Sequence, residues 1–221
     1  MNIILLGPPG AGKGTQAKVL AAKINLPHIA TGDILRQNVA EGTELGRKAQ
    51  GFMNKGELVP DTLVTQMVLE RIGAEDTQVG FILDGYPRNL TQAESLNADL
   101  KRKSRSIDIV FYLDASEEVI IQRLSGRLVC TKCGSNFHVK NMPPKIAMIC
   151  DKCGSPLYHR SDDNEGTIRN RLEVYRKESH PLIEYYRSKK ALESIAADND
   201  PVIVLDEMVR LINDKRDSIK V

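Results

Sequence analysis

Short apolar runs alternate along the chain with longer stretches of helical period. Residues 2–6, 27–30, 81–83, 107–113 and 202–205 read as five strands. Between and after them, apolar positions recur at helical spacing around 13–23, 34–40, 44–54, 61–72, 89–99, 117–124, 167–178 and 207–215. In the segment 61–72, Leu63, Val64, Met67, Val68 and Ile72 share one face. Strands separated by helices need crossover connections. The pattern therefore predicts an α/β fold, a parallel five-stranded sheet with helices on both faces. From Arg127 to about Asn164 the helical period is lost. That stretch holds all four cysteines and Pro143-Pro144, and it reads as a small inserted module.

Length and composition narrow the class. The 221 residues fit one domain, or one core with an insertion. With 41% hydrophobic and 27% charged residues, collagen-like, coiled-coil and disordered chains are excluded. The 31 basic residues nearly balance the 29 acidic ones, and the net charge of +2 is too even for a general electrostatic grip on nucleic acid. The first apolar run ends at Gly7, which is unlike a leader, and no run approaches membrane-spanning length. The expectation is a cytoplasmic protein whose cysteines are metal ligands or free thiols before disulfides.

Gly7-Pro8-Pro9-Gly10-Ala11-Gly12-Lys13-Gly14-Thr15 joins the first strand to the first helix. It nearly meets the phosphate-loop pattern G-x-x-x-x-G-K-[ST], with the hydroxyl one place late at Thr15. Glycines let successive N–H groups turn inward toward phosphate oxygens, and Lys13 adds a point charge. The bland alternative is a tight turn that carries a lysine. The loop alone does not separate kinase, ATPase and GTPase.

Phe81-Ile82-Leu83-Asp84 is an apolar strand that ends in an acid beside this loop. Asp84 is a candidate for holding Mg²⁺, or else a turn or capping aspartate. The Tyr86-Pro87 turn aims Arg88 across the strand ends. Arg123, Arg127, Arg160 and Arg171 follow. Between Arg123 and Lys177 eleven basic residues face five acidic ones. A solvated basic face explains Lys132, Lys140, Lys145 and Lys152. The arginines, near element boundaries, suit bidentate phosphate contact better. No Ser-His-Asp arrangement is evident, and His28, His138, His159 and His180 are scattered. An acceptor phosphate is already mostly ionised at neutral pH, so transfer between phosphates needs no base.

Cys130-x-x-Cys133 and Cys150-x-x-Cys153 are each followed by glycine, as in the knuckles of a structural zinc site. Free thiols, a disulfide pair or a tetrathiolate iron site are the alternatives. Zinc ribbons also occur in nucleic-acid-binding proteins. Asn136 and Phe137, inside the insertion, are candidates to face a nucleotide.

These motifs together resemble the bacterial adenylate kinases of the long-lid, zinc-containing type. The resemblance runs from Met1 to about Lys189. It rests on the phosphate loop, Ala30-Thr31-Gly32-Asp33-Ile34-Leu35-Arg36, Gly56-Glu57-Leu58-Val59-Pro60-Asp61, Asp84-Gly85-Tyr86-Pro87-Arg88 with Gln92, the cysteines, and Arg160-Ser161-Asp162-Asp163. It implies Mg²⁺-dependent transfer of the γ-phosphoryl of ATP to AMP, giving two ADP. It implies a core (1–29, 60–126, 165–221), an AMP-binding helical segment (30–59) and a zinc-ribbon-like lid (127–164). Gly10, Ala11, Gly12, Lys13, Gly14, Thr15, Arg127, Asn136 and Phe137 match ATP-site positions, Arg123 matches an arginine against adenine, and Asn199 is placed near the base. Thr31, Arg36, Glu57, Leu58, Val59, Gly85, Tyr86, Pro87, Arg88, Gln92, Arg160 and Arg171 match AMP-site positions. Lys13, Asp84, Arg88, Arg123, Arg127, Arg160 and Arg171 are the expected catalytic set. Expected partners are ATP, AMP and ADP, with no nucleic acid or membrane, and the expected state is a monomer. Departures are Ala30, Asn89 and Thr62; Asn89 can still cap its helix. The alternatives are a UMP/CMP or GMP kinase of the same fold, a zinc-ribbon nucleic-acid-dependent ATPase, and a nucleotide-sensing module without turnover.

Overall fold

The computed structural model describes residues 1–219. Its elements in chain order are β1 (Asn2–Leu6), α1 (Lys13–Ile24), β2 (His28–Ala30), α2 (Thr31–Glu41), α3 (Glu44–Lys55), α4 (Asp61–Arg71), β3 (Phe81–Asp84), α5 (Leu90–Arg102), β4 (Ile109–Asp114), α6 (Glu117–Ser125), β5 (Arg127–Cys130), β6 (Asn136–His138), β7 (Leu157–Tyr158), α7 (Glu165–Val174), α8 (Pro181–Ser188), β8 (Leu192–Ala196) and α9 (Pro201–Ile219). Between α7 and α8 the helix widens into a π-helical turn, Tyr175–Ser179.

Among the described residues the main sheet has the order β2-β3-β1-β4-β8, with every neighbouring pair parallel. The two-residue period of β1 feeds two cores. Ile3 and Leu5, with Ile82 and Phe111, meet Ala17 and Leu20 of α1 and Val204, Met208 and Ile212 of α9. Ile4 and Leu6, with Leu83 and Val110, meet Val64 and Val68 of α4, Leu96 and Leu100 of α5, and Leu182 and Tyr186 of α8. Each such fully buried side chain stabilises the fold by about 1.5–3 kcal/mol. Side-chain caps start the helices where the sequence offers them. Thr43 accepts from Gly46 N, Asn89 from Gln92 N and Asn164 from Thr167 N.

The fifth strand is not where the hydrophobic pattern put it. Residues 202–205 are helical, and β8 pairs with β4 through Leu113 and Ile195. Pro201 opens α9 at its first turn, and Asp200 Oδ1 accepts from Val202 N at 2.8 Å. Val204, Met208 and Ile212 then recur every four residues as the buried face, whereas Val202 and Ile203 are exposed. A run of four apolar residues has no period of its own, so strand and helix look alike. The edge strand β8 buries only Ile195 among its five residues, which leaves no alternation to read. Helix α8 was also missed, and the helix expected over 167–178 gives way to the π turn after Val174.

The insertion forms an antiparallel sheet of order β6-β5-β7. Its core is small and its own, made of Leu128, Cys130, Phe137, Cys150 and Leu157. By contrast, Leu35 and Ala49 of α2 and α3, with Val59 beyond them, pack into the main core.

Candidate functional site

The phosphate-loop sequence follows β1, and Asp84 ends the adjacent β3, paired in register with Leu5. Both lie at the carboxyl edge of a parallel sheet, where open α/β folds bind ligands. Gly7 is required there. Its φ is +140°, and an added Cβ would lie 2.5 Å from the carbonyl oxygen of Leu113 on β4. Helix α1 starts without a side-chain cap and without an acidic residue in its first turn, which leaves its N–H groups to an anion.

Above this edge is a cavity of about 580 Å³. It is lined by Gly10, Ala11, Gly12, Lys13, Gly14, Thr15, Asp84, Gly85, Pro87, Arg88, Arg123, Arg127, Asn136, Phe137, Arg160, Arg171 and Asn199, so the core and the insertion both contribute walls. A smaller cavity of about 70 Å³ adjoins it, lined by Thr31, Arg36, Glu57, Leu58, Val59, Gly85, Arg88, Gln92, Arg160 and Arg171. Arg88, Arg160 and Arg171 border both, at the seam. Tyr86 stands apart from the other sequence-selected residues. It is fully buried, its hydroxyl 3.1 Å from Thr65 Oγ1 and 3.2 Å from the Gln92 carbonyl, and it supports the wall from behind.

Local bonds fix each group. Lys13 Nζ donates to the Gly7 and Pro8 carbonyls, each at 2.8 Å. Arg88 donates from N to Gln92 Oε1 at 2.7 Å and from Nε to the Gly85 carbonyl at 2.9 Å. Gln92 is oriented in turn by Asp61, its Nε2 donating to Oδ1 at 2.7 Å. Thr31 Oγ1 donates to the Gly85 carbonyl at 2.9 Å, and Arg36 pairs with Asp33. Arg123 donates to the Ala197 carbonyl at 2.9 Å, beside Asn199 at the cavity wall.

Sequence reasoning placed Asp162 and Asp163 in a motif but assigned these acids, which face the arginines, no role. Asp163 accepts both forks of Arg127 at 2.7 and 2.6 Å, and also Arg171 at 3.0 Å. Asp162 accepts Arg160 Nε at 2.8 Å and lies 3.2 Å from Arg171. The signal was two adjacent aspartates one residue beyond Arg160, in a stretch otherwise rich in base. His28 was also passed over. Its Nε2 is 3.5 Å from Asp84 Oδ2, and strand pairing sets Ala30, two residues on, opposite Asp84.

Concentrated positive charge out of bulk water perturbs these groups. Burial pulls Lys13 down to about 8, with Asp84 opposing and Arg88 adding repulsion. Burial likewise takes Arg171 to about 10, and it lowers Arg88 and Arg127. Burial alone would raise Asp162, but Arg160, Arg171 and Arg36 outweigh it and hold that carboxyl far below the usual range. The arrangement can accept several phosphate oxygens at once and stabilise charge that moves between them.

The cysteines converge in the insertion. Their four Sγ atoms lie within 4.8 Å of one another, with Cys130 to Cys153 at 3.4 Å and Cys133 to Cys150 at 3.6 Å. A disulfide needs about 2.05 Å. Four thiolates around zinc, each about 2.3 Å from it, would sit about 3.8 Å apart. The donor set therefore fits a closed tetrathiolate metal site. The two knuckles repeat one geometry, with Gly134 and Gly154 at φ of +61° and +71° donating to the carbonyls of Cys130 and Cys150.

Comparison with known proteins gives consistent matches. The family model described as adenylate kinase matches residues 5–191. The adenylate kinase of Clostridium tetani is 50% identical over 192 residues, covering 87% of this chain and 89% of the relative. That of Caldanaerobacter subterraneus subsp. tengcongensis is 47% identical over 220 residues, covering 99% and 100%. That of Methanosarcina mazei is 49% identical over 208 residues, covering 94% and 96%.

Proposed function

The chain belongs to the adenylate kinase family, and from that premise we propose that it catalyses the reversible, Mg²⁺-dependent transfer of the γ-phosphoryl group of ATP to AMP, giving two ADP. The observation that carries this reading is the convergence of Lys13, Arg88, Arg127, Arg160 and Arg171 on one cavity that adjoins a second, smaller one. A hydrolase needs one phosphate chain and a water. Two abutting cavities with shared arginines suit two phosphate chains meeting end to end.

In this reading the larger cavity takes ATP, with its phosphates on the loop Gly10–Thr15 and its base between Arg123 and Asn199. The smaller takes AMP, with Thr31, Arg36, Val59 and Gln92 around it. Lys13 and the arginines hold the two chains in line and neutralise charge on the moving phosphoryl group, so positioning and electrostatics supply the rate. AMP brings its own ionised nucleophile, so no side chain needs to remove a proton. Asp84 and Thr15 would hold the magnesium. The Asp84 carboxylate lies against the loop, since a Cβ on Gly14 would come 3.2 Å from its Oδ2, and oxygen donors are what this hard cation takes. Held there, magnesium would neutralise charge on the phosphate oxygens. The segment 30–59 and the lid 127–164 close over the substrates and exclude water, which would otherwise intercept the phosphoryl group. Zinc on the four cysteines stabilises the lid and takes no part in the chemistry, since four thiolates leave no open position.

We read the protein as a cytosolic monomer. Every charged group of the cage comes from one chain, and the Sγ separations are those of reduced cysteines. No helix among the described residues is long and apolar enough to cross a membrane. A panel of AMP, UMP, CMP and GMP with ATP and Mg²⁺ tests the reading. Fast ADP formation with AMP alone is expected. Preference for another acceptor, or hydrolysis stimulated by nucleic acid without any acceptor, overturns it.

A further inference from the structure

The π-helical turn between α7 and α8 belongs to no motif, yet Val174, Tyr175 and Ser179 line the large cavity. Its cause is local. Pro181 has no N–H to give the Lys177 carbonyl, and the turn before it widens so that His180 N donates to Tyr175 O, five residues back, at 2.9 Å. The backbone stays helical on both sides, at Val174 and at His180. One extra residue in a turn rotates all that follows by about 100°. The rotation decides where Ser179 points. A serine inside an α-helix tends to bond back to the carbonyl four residues earlier. Here that carbonyl, on Tyr175, receives His180 N. Ser179 Oγ instead crosses to another element and donates to the Arg88 carbonyl at 2.7 Å.

Arg88 is thereby held at three points. Gln92 takes its N–H, Gly85 takes its Nε–H, and Ser179 binds its carbonyl. The first two lie within four residues of Arg88. Ser179 alone ties it to the helical run that begins with α7, which carries Arg171 two turns earlier. We propose that Ser179 is a positioning residue for Arg88, and that the π turn is the device that spaces the Arg88 guanidinium from that of Arg171 across the seam of the two cavities. This rests on the phosphotransfer reading, in which both arginines grip the same moving group.

The test is a double-mutant cycle with Ser179→Ala and Arg88→Ala, and with Ser179→Thr as rescue. Misplacement by a fraction of an ångström is expected to cost about 10-fold in kcat. Both KM values should stay within about 2-fold, and the melting temperature should fall by no more than about 4 °C. Ser179→Thr should restore kcat to within about 2-fold, since its hydroxyl reaches the same carbonyl. In the Arg88→Ala background, Ser179→Ala should add no further loss, because the group it positions is gone. A Ser179→Ala enzyme with wild-type kcat overturns the proposal, as do losses that multiply in the double variant. Independently of turnover, the Arg88 Nε–H resonance should broaden in Ser179→Ala and sharpen again in Ser179→Thr; an unchanged signal overturns the proposal. Wild-type protein without phosphoryl transfer would sink the functional reading, and the resonance would still decide the role of Ser179.

Discussion

Replacing Lys13 by methionine separates what the lysine does for the fold from what it does for the reaction. The side chain keeps its length and loses its charge. Burial holds the Lys13 ammonium at about 8 against an ordinary 10.5. A depression of that size means that the charged lysine costs the folded state about 3 kcal/mol wherever both states are protonated. Lys13 is partly exposed at the cavity mouth, and water screens part of that cost, so about 1–2 kcal/mol is the working figure. Gly7 and Pro8 are buried; the Pro8 carbonyl keeps the Ala11 N–H at 3.2 Å, and the bond lost at Gly7 offsets part of the relieved charge. The nucleotide-free variant should therefore be as stable as the parent or more so, by up to roughly 5 °C in melting temperature. The sign with pH follows. Below about 8 the penalty is whole. As pH rises from 8 toward 10.5 the folded parent sheds its proton first, the penalty is relieved, and its stability climbs toward that of the variant. Turnover goes the other way. A unit charge at about 4 Å from phosphate is worth about 4 kcal/mol near a protein surface, so kcat should fall about 10³-fold. Calorimetric melts from pH 7 to pH 10 and a coupled ADP assay read all three. A variant that melts well below the parent, a stability difference that stays flat with pH, or near-normal turnover would refute the reasoning.

Chelation of the lid metal, or Cys150→Ser, should melt the insertion ahead of the main core, because its five buried apolar side chains form a separate cluster. Calorimetry should show an added low-temperature transition, with some phosphoryl transfer surviving in the cold. The Asp162 carboxylate, held low by Arg160 and Arg171 against its burial, contributes stability that is whole above about pH 4 and is lost as the pH falls further. Asp162→Asn should flatten that acid limb in urea titrations run from pH 6 to pH 2. Lys18 Nζ donates to the Gly134 carbonyl at 2.5 Å, tying α1 to the first cysteine knuckle. Lys18→Met should raise KM for ATP about 5-fold, the worth of one such bond, with kcat nearly unchanged in steady-state kinetics.

How legible the molecule was depended on whether a feature is local. The phosphate loop, the strand-end Asp84 and the two cysteine knuckles each need a fixed spacing within a few residues. Spacing survives in the sequence, and the structure brings those residues to one sheet edge and one metal-sized cluster. The central strand β1 was legible because both its faces are buried, which makes every position apolar. The edge strand β8 is buried on one side only and has polar positions at Glu193 and Ser194, so nothing marked it. The widened turn at Tyr175–Ser179 was hidden for another reason. Its helical period is continuous in composition, and only the hydrogen bond from His180 to Tyr175 reveals the extra residue.

The aspartates that face the arginines stood in a quoted motif without a role because pairing is a tertiary fact, and they change how the cage must be understood. Lys13, Arg88, Arg127, Arg160 and Arg171 gather against the fewer carboxylates of Asp84, Asp162 and Asp163, with Asp33 acting on Arg160. Such a group would repel itself open without counter-charge. Asp163 takes the Nε and Nη2 fork of Arg127, and Asp162 that of Arg160. Those are the bidentate contacts that a phosphate makes with a guanidinium. The two carboxylates thus hold the arginine forks oriented and charge-matched before the substrates arrive. Removing an arginine and removing its aspartate are therefore not opposite errors. Either breaks a buried ion pair, with Arg171 left as the remaining partner of both aspartates, and either lowers activity by disturbing the same preorganised group.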